Sequence, residues 1–350
     1  MDGVVEAVWG KIINPVQTFI IAEAGVNHGG TIEQAKRLVD VAVDAGADAV
    51  KFQTFNARRL VTSRAPKADY QKRTTGTDES QLEMLDKLEL SPHAHEVLRG
   101  YCRNRGILFL SSPFDEESAD YLDVLEVPLF KIPSGEITNL PYLLHLARKG
   151  KPLILSTGMA SLGEVESALQ IIETAGNRRI CILHCVSNYP ADPADCNLRA
   201  METMRQAFHV PVGYSDHTEG IVIAQAAAAI GAAVIEKHFT LDRSLPGPDH
   251  QASIEPEELA LLVRNIRTIE SAMGTGRKAL SAAEKNTAMV ARKSLVAARD
   301  IPAGEVLTDD CIILKRPGTG LPASLVPYIL GRRSRQPISA GSILSLEMFL

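Results

Sequence analysis

Eight short apolar, β-branched runs recur at residues 19–24, 47–54, 107–113, 129–134, 152–157, 179–186, 211–215 and 232–239. Runs that are apolar almost throughout predict strands buried on both faces, and hence a parallel sheet. Stretches such as 33–44, 140–147 and 162–174 lie between them and carry apolar residues at helical spacing. Eight successive strand-then-helix units predict an α/β fold of the closed (β/α)8 TIM-barrel type. An open, doubly wound sheet is the alternative that the same alternation allows.

Most of these runs finish in polar or ionisable residues. The ends are Glu23, Lys51 with Gln53, Ser111 with Ser112, Lys131 with Ser134, Ser156 with Thr157, His184, Ser215 with His217, and Glu236 with His238. In a barrel all of these ends converge on one rim, where active sites sit. The barrel pattern closes with a helix at 256–273, and Gly274 and Gly276 then break it. The chain therefore divides into a barrel domain at 1–275 with an N-terminal extension at 1–17, a linker at 276–290, and a small, mostly β module at 291–350.

Composition narrows the function classes. A net charge of −5 gives no general attraction to nucleic acid or to an anionic membrane, so an anionic substrate would need local positive charge. No stretch approaches the ~18 apolar residues of a membrane span, and the N-terminus lacks the pattern of a signal peptide. The five cysteines are odd in number and form no Cys-x-x-Cys pair, which suggests reduced thiols and a cytoplasmic location.

The rim residues suggest a chemistry. His217 and His238 end two adjacent strands and can hold a divalent cation, with water and substrate completing the shell; two hydrogen-bonded histidines is the plainer reading. Lys51 and Lys131, with Ser134, Ser156, Thr157 and Ser215, can hold a phosphate and a carboxylate. Ion pairs with Glu136 and Glu236, or a Schiff-base lysine, are the other readings of the two lysines. Glu23 can move a proton or simply pair with Lys51. Asp249, in a loop stiffened by Pro246 and Pro248, can present a fixed carboxylate to hydroxyl groups. Arg316 taken alone is a surface residue.

In order along the chain, these residues closely resemble the sialic acid synthase family. The matching segments are Ile-Ala-Glu-Ala-Gly-Val-Asn-His at 21–28, Val-Lys-Phe-Gln-Thr at 50–54, Ser-Ser-Pro-Phe at 111–114 and Lys-Ile-Pro-Ser-Gly-Glu at 131–136. Leu-Ser-Thr-Gly-Met at 155–159, His-Cys-Val-Ser-Asn-Tyr-Pro at 184–190, Gly-Tyr-Ser-Asp-His-Thr at 213–218 and Ile-Glu-Lys-His-Phe at 235–239 follow. Pro-Gly-Pro-Asp at 246–249 and Lys-Arg-Pro-Gly-Thr-Gly at 315–320 complete the series.

The resemblance implies a barrel followed by an antifreeze-like SAF domain, in a domain-swapped homodimer. It implies a transferase that condenses phosphoenolpyruvate with N-acetylmannosamine or a 2,4-diacetamido-6-deoxymannose, giving N-acetylneuraminate or a legionaminate-type acid. His217 and His238 would hold Mn2+, with Mg2+ or Co2+ as alternatives. Phosphoenolpyruvate would lie on Lys51, Ser112, Lys131, Ser134, Ser156 and Ser215. The sugar would meet Gln53, Glu136, Tyr189, Asp249 and, from the partner subunit, Arg316, with Glu23 as the central acid or base. Asn188 is a further expected sugar contact, although Ser187 stands where some members carry Asn. The segment 68–76 looks most like legionaminate-type members. A 6-phosphorylated sugar finds no extra basic cluster at the rim beyond Lys72 and Arg73. A class I aldolase and a non-catalytic carbohydrate-binding protein are the competing functions.

Overall fold

The computed structural model describes residues 2–14, 16–76 and 79–349. The chain forms two compact units, residues 1–274 and 275–350. The first holds eight parallel strands: β1 (Phe19–Gly25), β2 (Ala49–Thr54), β3 (Leu108–Pro113), β4 (Phe130–Ile132), β5 (Leu153–Ser156), β6 (Ile180–Cys185), β7 (Val212–Asp216) and β8 (Val234–His238). Their order is β3-β2-β1-β8-β7-β6-β5-β4. β3 and β4 pack side by side without joining the ladder, so the barrel is nearly closed with one seam. β4 is shorter than its apolar run predicts because Pro133, which cannot donate to a ladder, leads straight into a 3-10 turn at Ser134–Glu136.

The helices of this unit are α1 (Asp2–Ile12), α2 (Ile32–Ala45), α3 (Ala57–Leu60), α4 (Asp69–Thr75), α5 (Gln81–Asp86), α6 (Pro92–Arg105), α7 (Glu116–Val124), α8 (Leu140–Arg148), α9 (Leu162–Thr174), α10 (Ala200–Phe208), α11 (Val222–Ala229) and α12 (Pro256–Met273). Local chemistry sets several of their ends. Thr31 caps α2 by accepting from the Gln34 N–H, and Gly46 ends it in the left-handed region at φ 78°. Ser161 and Glu164 form a reciprocal capping box on α9.

The alternation along each strand separates two cores. Ile20 and Ala22 face outward into the main core against Leu38, Leu262 and Ile266. Phe19 and Ile21 face inward with Ala49, Leu110, Ile154, Leu183 and Val234. Helix α1 belongs to this inner layer through Val8 and Ile12, the latter fully buried. The segment 1–17, read from sequence as an extension, thus supplies part of the barrel's own core.

The second unit contains α13 (Glu284–Ala291) and the antiparallel pair β9 (Ser294–Ala297) and β10 (Ile312–Lys315). Helix α13 occupies much of the stretch read as a linker. Isolated bridges join Val296 to Ile343, Ile301 to Ile338, Val306 to Arg333 and Ser334 to Phe349. Leu295, Ile301, Leu307, Cys311 and Leu344 form its own small core. All five cysteines are free and buried. Among the described residues no helix is long and apolar enough to cross a membrane.

Candidate active site

Period-two counting builds the site. Continuing the inward set from Phe19 and Ile21 gives Glu23; from Ala49 it gives Lys51 and Gln53; from Leu110, Ser112. The same step gives Lys131 after Leu129, Ser156 after Ile154, Cys185 after Leu183, and Glu236 and His238 after Val234. The inward layer is therefore apolar near the strand starts and polar at their ends. Ser111 and His184 fall on the other parity and point outward. Ser111 bonds Thr54 at 2.6 Å, and His184 bonds the Cys196 carbonyl at 2.7 Å, so the rim role read for them does not hold.

These ends open into a cavity of about 440 Å³. Glu23, Lys51, Gln53, Ser112, Lys131, Ser134, Glu136, Ser156, Tyr189, Ser215, His217, His238 and Asp249 all line it. Asn188 does not: it is exposed, and Ser187 lines the wall at that point. Arg316 is an exposed residue of the C-terminal unit. Sequence reading passed over Cys185, which strand parity would have found. It also passed over Tyr70 and Met84, whose short helices carry no periodic signal.

At the cavity floor two lysines and two carboxylates share one buried network. Lys51 Nζ lies 2.7 Å from Glu23 Oε2 and 3.8 Å from Glu236 Oε2, and it donates to Ser112 Oγ at 2.9 Å. Lys131 Nζ lies 3.2 Å from Glu236 Oε1, which also accepts from Ser215 Oγ at 3.0 Å. Glu136 is no partner of either lysine; it accepts from Asn139 at 2.7 Å. Each of the four charged side chains is only a few per cent exposed.

The two carboxylates respond differently to the same burial. Burial opposes the charge of both. For Glu236 the ammonium groups of Lys131 and Lys51 outweigh it and hold the carboxyl down at about 2. For Glu23 burial wins over Lys51, aided by the negative charge of Glu236, and pushes the carboxyl up to about 7. Glu236 is thus the permanent anion and Glu23 the group that exchanges a proton near neutrality. Such a separation of like groups marks acid–base sites. Burial also lowers Lys131, whereas Lys51 is raised because its carboxylate partners outweigh the same desolvation.

The backbone at Gly158 closely approaches the serine hydroxyls of the rim. The Gly158 N–H donates to Ser134 Oγ at 3.0 Å, and a Cβ at Gly158 would collide with the Ser134 and Ser187 hydroxyls. Ser156 Oγ is buried without a hydrogen-bond partner.

His217 and His238 have ring centroids 5.4 Å apart. His238 Nδ1 is buried without a hydrogen-bond partner, and Asp249 Oδ2 is 4.0 Å away. Burial lowers His238 strongly, keeping the imidazole neutral, the form that binds metals. Burial also pulls His217 down, but the Cys185 thiol at 3.6 Å and the Val186 carbonyl at 2.8 Å outweigh it. A cation would compete with that proton. The pair fits a divalent ion held by two imidazoles with an otherwise open shell. No cluster of three or more His, Cys, Asp or Glu suited to a metal occurs among the described residues. Tyr189 packs on both rings, at 4.1 Å from His217 and 5.7 Å from His238, and Tyr70 packs on Tyr189 at 5.0 Å.

The sequence profile of the NeuB family matches residues 38–278, and that of the SAF domain matches residues 292–350. An N,N'-diacetyllegionaminic acid synthase from Campylobacter jejuni is 51% identical, covering 90% of this chain and 95% of its own. A protein of the same name from Legionella pneumophila is 49% identical, covering 94% of each chain. Among solved structures, an N-acetylneuraminic acid (sialic acid) synthetase from Leptospira borgpetersenii, in complex with citrate, matches with a TM-score of 0.69 at 37% identity, covering 78% of this chain and 90% of that one. The barrel, its polar rim and these matches agree over nearly the whole length, and the chain belongs to the NeuB family, with a SAF domain at its C-terminus.

Proposed function

We propose that the chain is a cytoplasmic nonulosonic acid synthase. It condenses phosphoenolpyruvate and water with an N-acetylated aminosugar, releasing phosphate and a legionaminate-type or N-acetylneuraminate-type keto acid. The observation that carries this reading is the buried floor, where Lys51 and Lys131 meet Glu23 and Glu236 beside two histidines. A net-negative chain gains focused positive charge there, which suits a small substrate bearing a phosphate and a carboxylate.

His217 and His238 would hold a divalent ion, Mn2+ in the first instance. When bound it supplies Lewis acidity to a carbonyl oxygen. The chain's own residues do the rest. Lys51 and Lys131, with Ser112, Ser134, Ser156 and Ser215, bind the phosphate and carboxylate of phosphoenolpyruvate. Gln53, Glu136, Tyr189 and Asp249 orient the open-chain sugar so that its aldehyde carbon meets the methylene carbon. The new carbon–carbon bond leaves positive charge on the enol-ether carbon. Water adds there, and the carbon–oxygen bond to phosphate then breaks. Glu23, poised between its two protonation states, takes or returns the proton of that water.

Phosphate release from phosphoenolpyruvate tests the reading, with Mn2+ and each candidate sugar in turn. Release with one sugar, abolished by EDTA, is expected; no release with any sugar or metal would refute it. One observation favours a second reading: burial lowers Lys131, as an imine-forming lysine requires. Borohydride trapping of substrate on Lys131, with activity that survives EDTA, would establish an aldolase instead.

The proposal includes a swapped homodimer in which Arg316 of one subunit serves the sugar in the other. Mixing Glu23→Gln chains with Arg316→Ala chains then creates one intact site per mixed dimer. Recovered turnover in the mixture supports the swap, and none speaks against it.

A further inference from the structure

A second cavity, of about 610 Å³, opens at the other end of the barrel, where the strands start. It is larger than the catalytic cavity of about 440 Å³ and shares no residue with it. Its base is apolar. Ile107 and Phe109, at 7% and 5% exposed, form the side toward β3, and Val127, at 2%, the side leading into β4. Val4 of α1 also lines it and is 56% exposed. An apolar body seated here gains by leaving water, and a cavity of this size suits a small molecule.

Five cations from three separate segments converge on the same cavity, in a chain whose net charge is −5. Arg99 and Arg103 come from α6, Lys149 and Lys151 from the turn between α8 and β5, and Arg179 from the residue before β6. Four of them are engaged. Arg99 pairs with Glu126 at 3.0 Å and Arg179 with Glu6 at 2.7 Å. Lys151 pairs with Asp123 at 2.7 Å, and Lys149 with Asp120 and Asp123. The side chains of these four carboxylates are 36% to 65% exposed. Ion pairs so open to water contribute little, so a ligand anion can exchange for them at small cost. Arg103, in the last turn of α6, has no hydrogen-bond or ion-pair partner among the described residues. Its planar guanidinium suits the oxygens of a phosphate, sulfonate or carboxylate.

The cavity lies beneath the barrel's seam. Phe109 leads along β3 to Ser112, and Val127 leads into β4 and Lys131, each over about 10–13 Å of extended chain. No ladder joins β3 to β4, so side-chain packing alone sets their spacing. Ladder hydrogen bonds hold the other neighbouring strands together, which makes the seam the place where a body at the strand starts is felt at the strand ends. A change in its width moves Ser112 Oγ against Lys51 Nζ, now 2.9 Å apart, and Lys131 Nζ against Glu236 Oε1, now 3.2 Å apart.

We propose that this cavity is an effector site for a small organic anion, an acidic group on an apolar body, whose occupancy alters turnover through the β3–β4 seam. The binding stands on the cavity alone; the coupling rests on the synthase reading above.

Fluorescence titration of the full chain with 1-anilinonaphthalene-8-sulfonate tests the binding, with phosphoenolpyruvate and Mn2+ present to fill the catalytic cavity. One saturable site is expected. Phenyl phosphate should displace the dye at least about tenfold more effectively than uncharged phenol. Dye binding should weaken at least about tenfold in Arg103→Glu and weaken also in Val4→Asp; Arg103→Ala serves if Arg103→Glu does not fold. Unchanged dye binding in a folded Arg103 variant, or equal displacement by phenol, would overturn the site. For the coupling, phosphate release is measured with and without saturating phenyl phosphate. A change in kcat/KM of at least about fivefold is expected in the wild type and none in Arg103→Glu, whose rate without phenyl phosphate should match the wild type. An equal change in both proteins would put the effect in the catalytic cavity and overturn the coupling, as would no change in either. If no sugar releases phosphate, the synthase reading fails on its own, and the dye titration still decides the site.

Discussion

Glu23 and Glu236 carry the same functional group on adjacent strands and touch the same lysine, yet they hold protons at opposite ends of the scale. The difference is the second lysine: Lys131 pairs directly with Glu236, whereas Lys51 is the one lysine that pairs directly with Glu23. Glu23→Gln keeps the shape and removes the exchangeable proton. It is expected to lower kcat by about a hundredfold to ten-thousandfold with a melting temperature near that of the parent; turnover within a factor of a few of wild type would remove Glu23 from the mechanism. On β7 and β8, on the outward parity, Asp216 and Lys237 form an ion pair at 2.8 Å, both at most 1% exposed. Asp216→Ala would strand a buried ammonium and is expected to destabilise the fold by about 3–5 kcal/mol in urea unfolding. Residues at this scale were legible wherever two-residue alternation could be counted, as for Glu23, Lys51 and Lys131. Ser111 and His184 were misplaced because a polar residue at a strand end shows its parity only once the strand's start is known. Asn188 was misplaced because a loop has no such alternation.

The strands and the longer helices were readable because each buries a continuous stripe and ends in recognisable caps; α12 spans the residues expected of it. Helices α3, α4 and α5 were not, since segments of four to seven residues show less than two turns of periodicity. Helix α1 was missed for another reason. Its apolar residues face the open end of a barrel, a partner that no local pattern reveals. Ile12 is fully buried in that layer, so Ile12→Ala is expected to cost about 2–5 kcal/mol of stability. It should leave kcat/KM unchanged, because the layer lies at the strand starts and the chemistry at their ends. A loss of activity without a loss of stability would mean that the two ends of the barrel are coupled.

For the whole molecule, pH sets stability through groups of opposite sign. His28 is buried, accepts the Gly30 N–H at 3.0 Å through Nδ1, and leaves Nε2 without a partner. Burial, with His95 and His250 nearby, lowers it from 6.5 to about 3. The unfolded chain therefore binds this proton first, so the contribution of His28 is full above its unfolded value and is lost as pH falls toward its folded one. Glu23 and Asp249, raised to about 7 and about 6, act the other way, stabilising in acid and losing that contribution as pH rises through those values. The net slope is a contest, but one variant isolates one side. The stability advantage of wild type over His28→Asn is expected to shrink by about 2 kcal/mol between pH 7 and pH 5. A constant difference between the two unfolding curves would show that His28 titrates normally in the fold.

The helix that seals the barrel's lower end also sets a timetable. Ile12 shares its layer with Leu110, Ile154, Leu183 and Val234, and Val234 follows it by 222 residues. At about 5–20 residues per second, a ribosome takes roughly ten to forty seconds to deliver that last neighbour. Throughout that interval the apolar face of α1 has emerged before its binding surface exists. The nascent chain must shelter that face with a chaperone or by transient contacts of its own, so the faithful production of this barrel depends on what guards its first turns of helix during synthesis.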